Sequence, residues 1–283
     1  MTRFLKMHGL GNDFIVLDAR QDDFNLTIEA ASRLADRRFG VGCDQIVILR
    51  AANEDGDIFL DMRNQDGSVT GACGNGTRCV AALVMEETGK DKIVIETMAG
   101  HLHARREGTL IEVDMGPAWL DWSQIPLAHK TDTLFVDLSP EETEKATCVS
   151  MGNPHAVIFV EDVMQVDVAK RGGGLEHHRL FPEAANISFA SLIGDDQIRM
   201  RVFERGVGIT SACGSGACAV AVAAHRRGLT GRAVEVVLDG GSLFITWQDD
   251  GTAEGRVLMK GPASLAFEGQ LSAELDQLLQ KRR

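Results

Sequence analysis

No apolar run in these 283 residues approaches the ~18 needed to cross a bilayer, so a membrane-embedded fold is not expected. Nor does the opening MTRFLKMHGLGND hold the apolar stretch of a secretory signal, and a cytoplasmic protein is the expectation. Basic residues are in the minority: 29 Lys and Arg stand against 41 Asp and Glu, a formal net charge of −12. A nucleic-acid-binding surface needs a basic face, so a polyanion partner is not expected. The six cysteines (43, 73, 79, 148, 213 and 218) are too few for a disulfide scaffold, which is a device of small secreted domains. No C-x-x-C occurs, and no cysteine pair lies near a histidine pair at ligand spacing, so no metal site is expected. A cysteine with a special task must therefore be special through its surroundings. Gly172-Gly173-Gly174 lacks the G-K-[ST] ending of a phosphate loop and reads as a flexible loop.

What the chain does contain is a hidden repeat. Ile58–Gly76 reads IFLDMRNQDGSVTGACGNG, and Ile198–Gly216 reads IRMRVFERGVGITSACGSG, an offset of 140 that sets Asn64 opposite Glu204 and Cys73 opposite Cys213. At an offset of 141, Gly11-Asn12 matches Gly152-Asn153, Gln45-Ile46 matches Asn186-Ile187, and Ile93, Ile95, Gly100 and Leu102 match Val234, Val236, Gly241 and Leu243. Gly116-Pro117-Ala118 returns as Gly261-Pro262-Ala263. Blocks in the same order at near-constant spacing mark two related halves. The expected organisation is 1–118 and 147–265, joined by a link at 119–146 that holds Trp119, Trp122 and the acidic stretch SPEETEK (139–145), with 266–283 packing back through a helix at 273–282.

Alternating or β-branched runs predict strands at Phe14–Leu17, Ile46–Leu49, Ile58–Met62, Lys92–Thr97 and Leu110–Met115, with counterparts at Ala156–Val160 and Ile198–Phe203. Thr27–Arg38 reads as an amphipathic helix with Thr27 as N-cap. After each ACGxG comes a helix of another kind, RCVAALVM (78–85) and ACAVAVAA (217–224). A helix apolar on nearly every face must be enclosed. The expected fold class is α+β: two pseudo-symmetric domains, each a curved, mostly antiparallel, barrel-like sheet wrapped around a central apolar helix, with the active site in the cleft between them.

Glycines at a helix start let the backbone turn sharply and present N–H groups to a ligand. The first helical turn carries unpaired donors and partial positive charge, which suits a carboxylate. A cysteine there is expected to ionise below the usual value of about 8.5. Each half thus offers a carboxylate cradle beside a thiol base. Two such bases on opposite faces of one ligand suit inversion of a stereocentre: one removes a proton as thiolate, the other delivers one as thiol, and the helix ends stabilise the developing carbanion.

The motifs HGLGNDF, GVGCDQ (40–45), GACGNGTRC (71–79), SMGNPH (150–155), FPEAANI (181–187) and ERGVGITSACGSGACA (204–219) together resemble the diaminopimelate epimerase family over nearly the whole chain. The resemblance implies a reaction that interconverts LL- and meso-diaminopimelate on the route to lysine and peptidoglycan, with no cofactor, and a homodimer as a possible assembly. It implies Cys73 and Cys213 as the two acid–base residues, with Gly74, Asn75, Gly214 and Ser215 at the reacting carboxylate. Asn12, Gln45, Asn64, Asn153, Asn186, Glu204 and Arg205 match substrate-contacting positions, and His155 and Glu204 match positions that tune the cysteines. Arg205 suits a remote carboxylate and Glu204 an ammonium. Two positions depart from the family pattern: Cys43, where an apolar residue is common, and Ile209, where glutamate is.

Cys79, Cys218, Cys148 and Cys43 read as small hydrophobes. His155 alone would read as a turn histidine and Arg205 alone as a solvated charge; His101, His103, His177 and His178 carry no support. The alternative enzyme is a proline or hydroxyproline racemase of the same fold, whose substrates lack a second amino-acid head and do not need the Asn64, Asn153, Asn186 and Arg205 array. A thiol-redox protein cycling Cys73 with Cys213 conflicts with their 140-residue separation. A silent amino-acid-binding protein needs no thiol in both cradles.

Overall fold

The computed structural model describes the chain except residues 22–23, 72, 139–143, 253–254 and 282–283. Most of the acidic stretch in the link, and Ala72 of the first ACGxG, therefore lie outside the described residues. The α-helices are α1 (Ile28–Ala35), α2 (Gly74–Thr88), α3 (Val168–Glu176), α4 (Gly214–Arg226) and α5 (Ala273–Leu278). None among the described residues is long and apolar enough to cross a membrane. The chain divides into two compact units, Met1–Val113 with Gly261–Arg283, and Asp114–Lys260.

In the first unit, strand Arg3–Gly9 pairs antiparallel with Asn12–Asp18. Asn12–Asp18 then runs parallel to Gln45–Arg50, which is antiparallel to Ile58–Asn64. Ile58–Asn64 is parallel to Lys92–Thr97, and that strand forms a hairpin with Gly100–Glu107. The late strand Ser264–Gln270 returns to pair with Arg3–Gly9. The second unit repeats the order of pairing. Ala146–Ser150 is antiparallel to Pro154–Phe159, which is parallel to Asn186–Gly194, itself antiparallel to Gln197–Glu204. Gln197–Glu204 is parallel to Ala233–Leu238, which forms a hairpin with Gly241–Gln248. The repeat read from the residues is thus a repeat of topology, with the helix pairs α1/α3 and α2/α4 at matching places in each half.

The two helices after ACGxG are enclosed as expected. Every residue of α4 from Gly216 to Ala224 is buried. It packs against strands 146–150, 154–159, 186–194, 197–204, 233–238 and 241–248, which requires that sheet to curl round it. Each buried valine of α4 contributes roughly 1.5–3 kcal/mol relative to exposure, and the alanines between let the sheet approach closely. In the first unit α2 lies against strands 3–9, 12–18, 92–97 and 100–107. It ends at Gly89, which takes the left-handed conformation (φ 70°) that closes a helix and that only glycine adopts freely. Strand Gln45–Arg50 is buried at four consecutive residues, as a strand covered on both faces must be.

Three expectations are corrected. The first helix stops at Ala35 rather than Arg38, although Thr27 caps it as expected, accepting from the Ala30 N–H at 3.1 Å. The Asp36 carboxylate accepts from the Arg38 and Phe39 N–H groups, both at 2.7 Å, a local turn that competes with the next helical turn. The C-terminal helix stops at Leu278 rather than 282, because Leu279 is drawn into the core beside Phe24 and Gln280–Lys281 pairs with Phe24–Asn25. Gly172-Gly173-Gly174 is helical, inside α3, rather than a flexible loop. A Cβ at Gly172 would lie 2.4 Å from the Phe203 Cβ, so its glycine serves close packing of α3 on strand 197–204.

Candidate active site

Both cysteines singled out by the repeat occupy the N-cap position of their enclosed helices, Cys73 on α2 and Cys213 on α4, each with extended backbone. Each cysteine carbonyl accepts the first intrahelical bond, from Thr77 N at 2.8 Å and from Ala217 N at 3.0 Å. Neither thiol caps its helix in the manner of a serine. The glycines that follow supply the first-turn N–H groups, the donor array a carboxylate needs.

In the first unit, the turn between strands 3–9 and 12–18 is built from Leu10 (φ 58°) and Gly11 (φ 85°), a left-handed pair that suits a two-residue hairpin. It delivers Asn12 to Cys73: the Cys73 thiol lies 3.8 Å from the Asn12 Oδ1, which also accepts from Asn75 Nδ2 at 3.1 Å. Gln45 and Asn64 face each other across neighbouring strands, and Gln45 Nε2 donates to Asn64 Oδ1 at 3.0 Å. The structure therefore gathers Asn12, Cys73 and Asn75 in one cluster and Gln45 with Asn64 in a second.

In the second unit, the turn at Gly152 (φ 90°) delivers Asn153 to the Cys213 loop. Asn153 Nδ2 faces Ser215 Oγ at 3.5 Å, and Ser215 Oγ is 3.7 Å from the Cys213 sulfur. That orientation turns the Asn153 carbonyl to His155, 2.9 Å from Nε2, so Nε2 carries the proton. Burial, with the nearby Arg205 charge, pushes His155 down to about 3 and keeps the ring neutral. Asn186 accepts from the Arg205 N–H at 3.0 Å and donates to the Pro154 carbonyl at 3.0 Å, which fixes the chain turn that presents Arg205. The Arg205 guanidinium bonds the Glu183 carbonyl at 3.0 Å, and the buried Glu176 carboxylate accepts from the Gly206 N–H at 2.6 Å.

Cys213 departs from the expected lowering of thiol pKa. Burial, the Glu204 charge and a hydrogen bond with Glu204 raise it well above the ordinary thiol value, outweighing the Gly216 N–H and the Ser215 hydroxyl. Glu204 is itself held by the Thr210 hydroxyl. Cys213 therefore rests as the thiol. Burial likewise pushes Cys43, Cys79 and Cys148 up to about 12, in keeping with their reading as inert hydrophobes.

A cavity of about 420 Å³ in the second unit is lined by Asn153 and Arg205 together with Trp119, Gln124, Pro126 and Glu183. The latter four were not anticipated. Trp119 sits one residue after the Gly116-Pro117-Ala118 echo and bonds Ser150 through both backbone groups, at 2.9 Å each. Gln124 has no echo in the first half.

Solved structures of distant proteins share this fold. A probable proline racemase from Agrobacterium radiobacter K84 superposes with a TM-score of 0.69 at 16% identity, covering 96% of this chain and 93% of its own. A phenazine biosynthesis protein of the PhzF family from Bacillus anthracis gives 0.68 at 15% identity, covering 96% and 99%. At that identity the likeness defines the fold alone. Sequence goes further. The diaminopimelate epimerase family model matches residues 4–120 and 147–266. The diaminopimelate epimerase of Rhodospirillum centenum is 56% identical, covering 97% of this chain and 94% of that one. That of Acidiphilium cryptum is 53% identical, covering 96% and 97%. The chain belongs to the diaminopimelate epimerase family.

Proposed function

We propose that this protein interconverts LL- and meso-diaminopimelate by a two-base reaction in which Cys73 and Cys213 serve opposite faces of the α-carbon. The observation that carries the reading is one cysteine at the N-terminus of each enclosed helix, in each of two topologically equivalent units. A thiolate sulfur takes the α-proton, the electron pair left on carbon spreads into the carboxylate, and the opposite thiol returns a proton to the other face. Gly74, Asn75, Gly214 and Ser215 belong to the first turns that offer donors to that carboxylate. With Cys213 held protonated by burial and Glu204, Cys73 is the base in the direction that starts from this form. Glu204 tunes Cys213 directly, and His155 acts on it through Asn153 and Ser215.

The distal amino-acid head falls to Arg205 and the amides Asn64, Asn153 and Asn186, with Asn12 and Gln45 completing the polar lining. A planar guanidinium takes a carboxylate at two points, and the amides read an ammonium. Proline racemases share the fold at 16% identity, whereas 53–56% identity goes with diaminopimelate epimerases. The family resemblance makes a homodimer a possible assembly, to be checked by sedimentation, and a cytoplasmic location is to be checked by cell fractionation. The substrate is tested by measuring α-proton exchange on diaminopimelate, proline and lysine side by side. Diaminopimelate is expected to exchange at least a hundredfold faster than either, on the order of the loss of one desolvated charge partner. Faster exchange on proline would overturn the substrate assignment while leaving the fold untouched.

A further inference from the structure

Asp44 stands in none of the roles above, yet it is the hub of a polar cluster behind Cys73. One of its carboxylate oxygens, Oδ1, accepts from Arg37 at 2.7 Å. The other, Oδ2, accepts from the Asp13 N–H and from Asn12 Nδ2, both at 3.0 Å. The Asp44 N–H returns to the Asp13 carboxylate at 3.0 Å. Asp13 in turn is gripped by Lys6 at 2.6 Å and by Arg37 at 3.0 and 2.7 Å. Burial opposes ionisation of Asp13, but the Arg37 and Lys6 hydrogen bonds outweigh it and hold its carboxyl well below the ordinary range.

The consequence falls on Asn12. An amide has one donor end and one acceptor end, and a carboxylate only accepts. Facing Asp44, Asn12 must turn its NH₂ that way, and its carbonyl oxygen is then forced toward Cys73 and the Asn75 NH₂. Were the amide reversed, its NH₂ would meet the sulfur and stabilise a thiolate. A thiolate so stabilised is a weaker base, and removal of a weakly acidic α-proton needs a strong one.

We propose that Asp44 is a positioning residue that locks the Asn12 amide with its carbonyl, not its NH₂, toward Cys73, and so preserves the basicity of that sulfur. The inference rests on Cys73 being an acid–base residue, but its test reads the thiol itself and does not require turnover.

The test is the rate of alkylation of each cysteine by iodoacetamide across pH, mapped by mass spectrometry, in wild type, Asp44→Asn, Asn12→Ala and the double variant. In Asp44→Asn the new side chain can donate, so the Asn12 amide can turn over together with the Asn75 amide that donates to it at 3.1 Å. The Cys73 profile then moves to lower pH, with alkylation about threefold faster at pH 7, while kcat on the high-pH plateau, where the thiol is ionised in both proteins, falls about threefold because the thiolate is a weaker base. A loss of structure would slow turnover without that opposite change at the thiol, and it would expose the buried Cys43, Cys148 and Cys218, which stay unmodified if the fold holds. Loss of the Asp44 charge alone would speed alkylation whether or not Asn12 is present. Lock and charge are separated because Asp44→Asn has no further effect on Cys73 in the Asn12→Ala background. An unchanged Cys73 profile in Asp44→Asn, or an equal shift with Asn12 absent, overturns the proposal. If Asp44→Asn does not fold, Asn12→Ala carries the test, since deleting the facing carbonyl must also move the Cys73 profile to lower pH, and an unmoved profile overturns it.

Discussion

At the scale of the residue, the two cysteines were legible because the ACGxG echo singles them out and places both at helix starts. Their ionisation was not legible. A helix N-terminus alone predicts easier ionisation, but burial and Glu204 reverse the sign at Cys213, and Glu204 reaches that sulfur from nine positions earlier in the chain. Asp44, Glu176 and Gln124 were invisible for a related reason: only the fold brings Asp44 to Asn12, Glu176 to the Gly206 N–H and Gln124 to the cavity wall. His155 yields a pH-dependent consequence. Its folded-state value is depressed from 6.5 to about 3 by burial and Arg205, so between these values the unfolded chain binds the proton and the native state does not. The stability it contributes is fully present above about pH 6.5 and is lost as pH falls from there toward 3. The Tm of wild type is therefore expected to fall more steeply across that window than the Tm of His155→Gln. Parallel curves for the two proteins would mean that the ring takes up a proton in the native state.

At the scale of the element, periodicity located the strands and enclosed helices, while helix ends depended on features without a period. Asp36 ends α1 through two bonds to its own neighbours, and Leu279 ends α5 by entering a core assembled from distant segments. The glycine triplet in α3 is the plainest case. Three successive glycines read as a loop by propensity, yet the close approach of Phe203 requires the first of them inside a helix. Two opposite outcomes follow. Gly172→Ala gains about 1 kcal/mol of helix propensity, but its methyl collides with Phe203, which costs roughly 1–3 kcal/mol or more. The net change is destabilising. Gly174, exposed and with open space where a Cβ would go, should gain up to about 1 kcal/mol on substitution by alanine. Urea denaturation of both variants checks the pair, and equal effects would contradict the packing given for Gly172.

At the scale of the molecule, the doubling visible in the sequence reappears as two units with the same order of parallel and antiparallel pairings. Under the proposed two-base reading, duplication accounts for the arrangement: a fold that starts one enclosed helix with a cysteine would supply a single base, and repeating the fold would supply the second. The halves have since diverged where their tasks differ. Asn64 of one half corresponds in the repeat to Glu204 of the other, and the second half carries Arg205 with a cavity beside it. The central claim, two bases on opposite faces, is tested most directly by turnover of LL-diaminopimelate in heavy water. Deuterium at the α-carbon of product and of residual substrate is read by NMR at low conversion. Thiols exchange with solvent before they deliver, so the meso product should carry one α-deuterium while unreacted LL substrate stays protiated. Product that retains the substrate's own α-proton would mean that one base both removes and returns it, and would contradict the account.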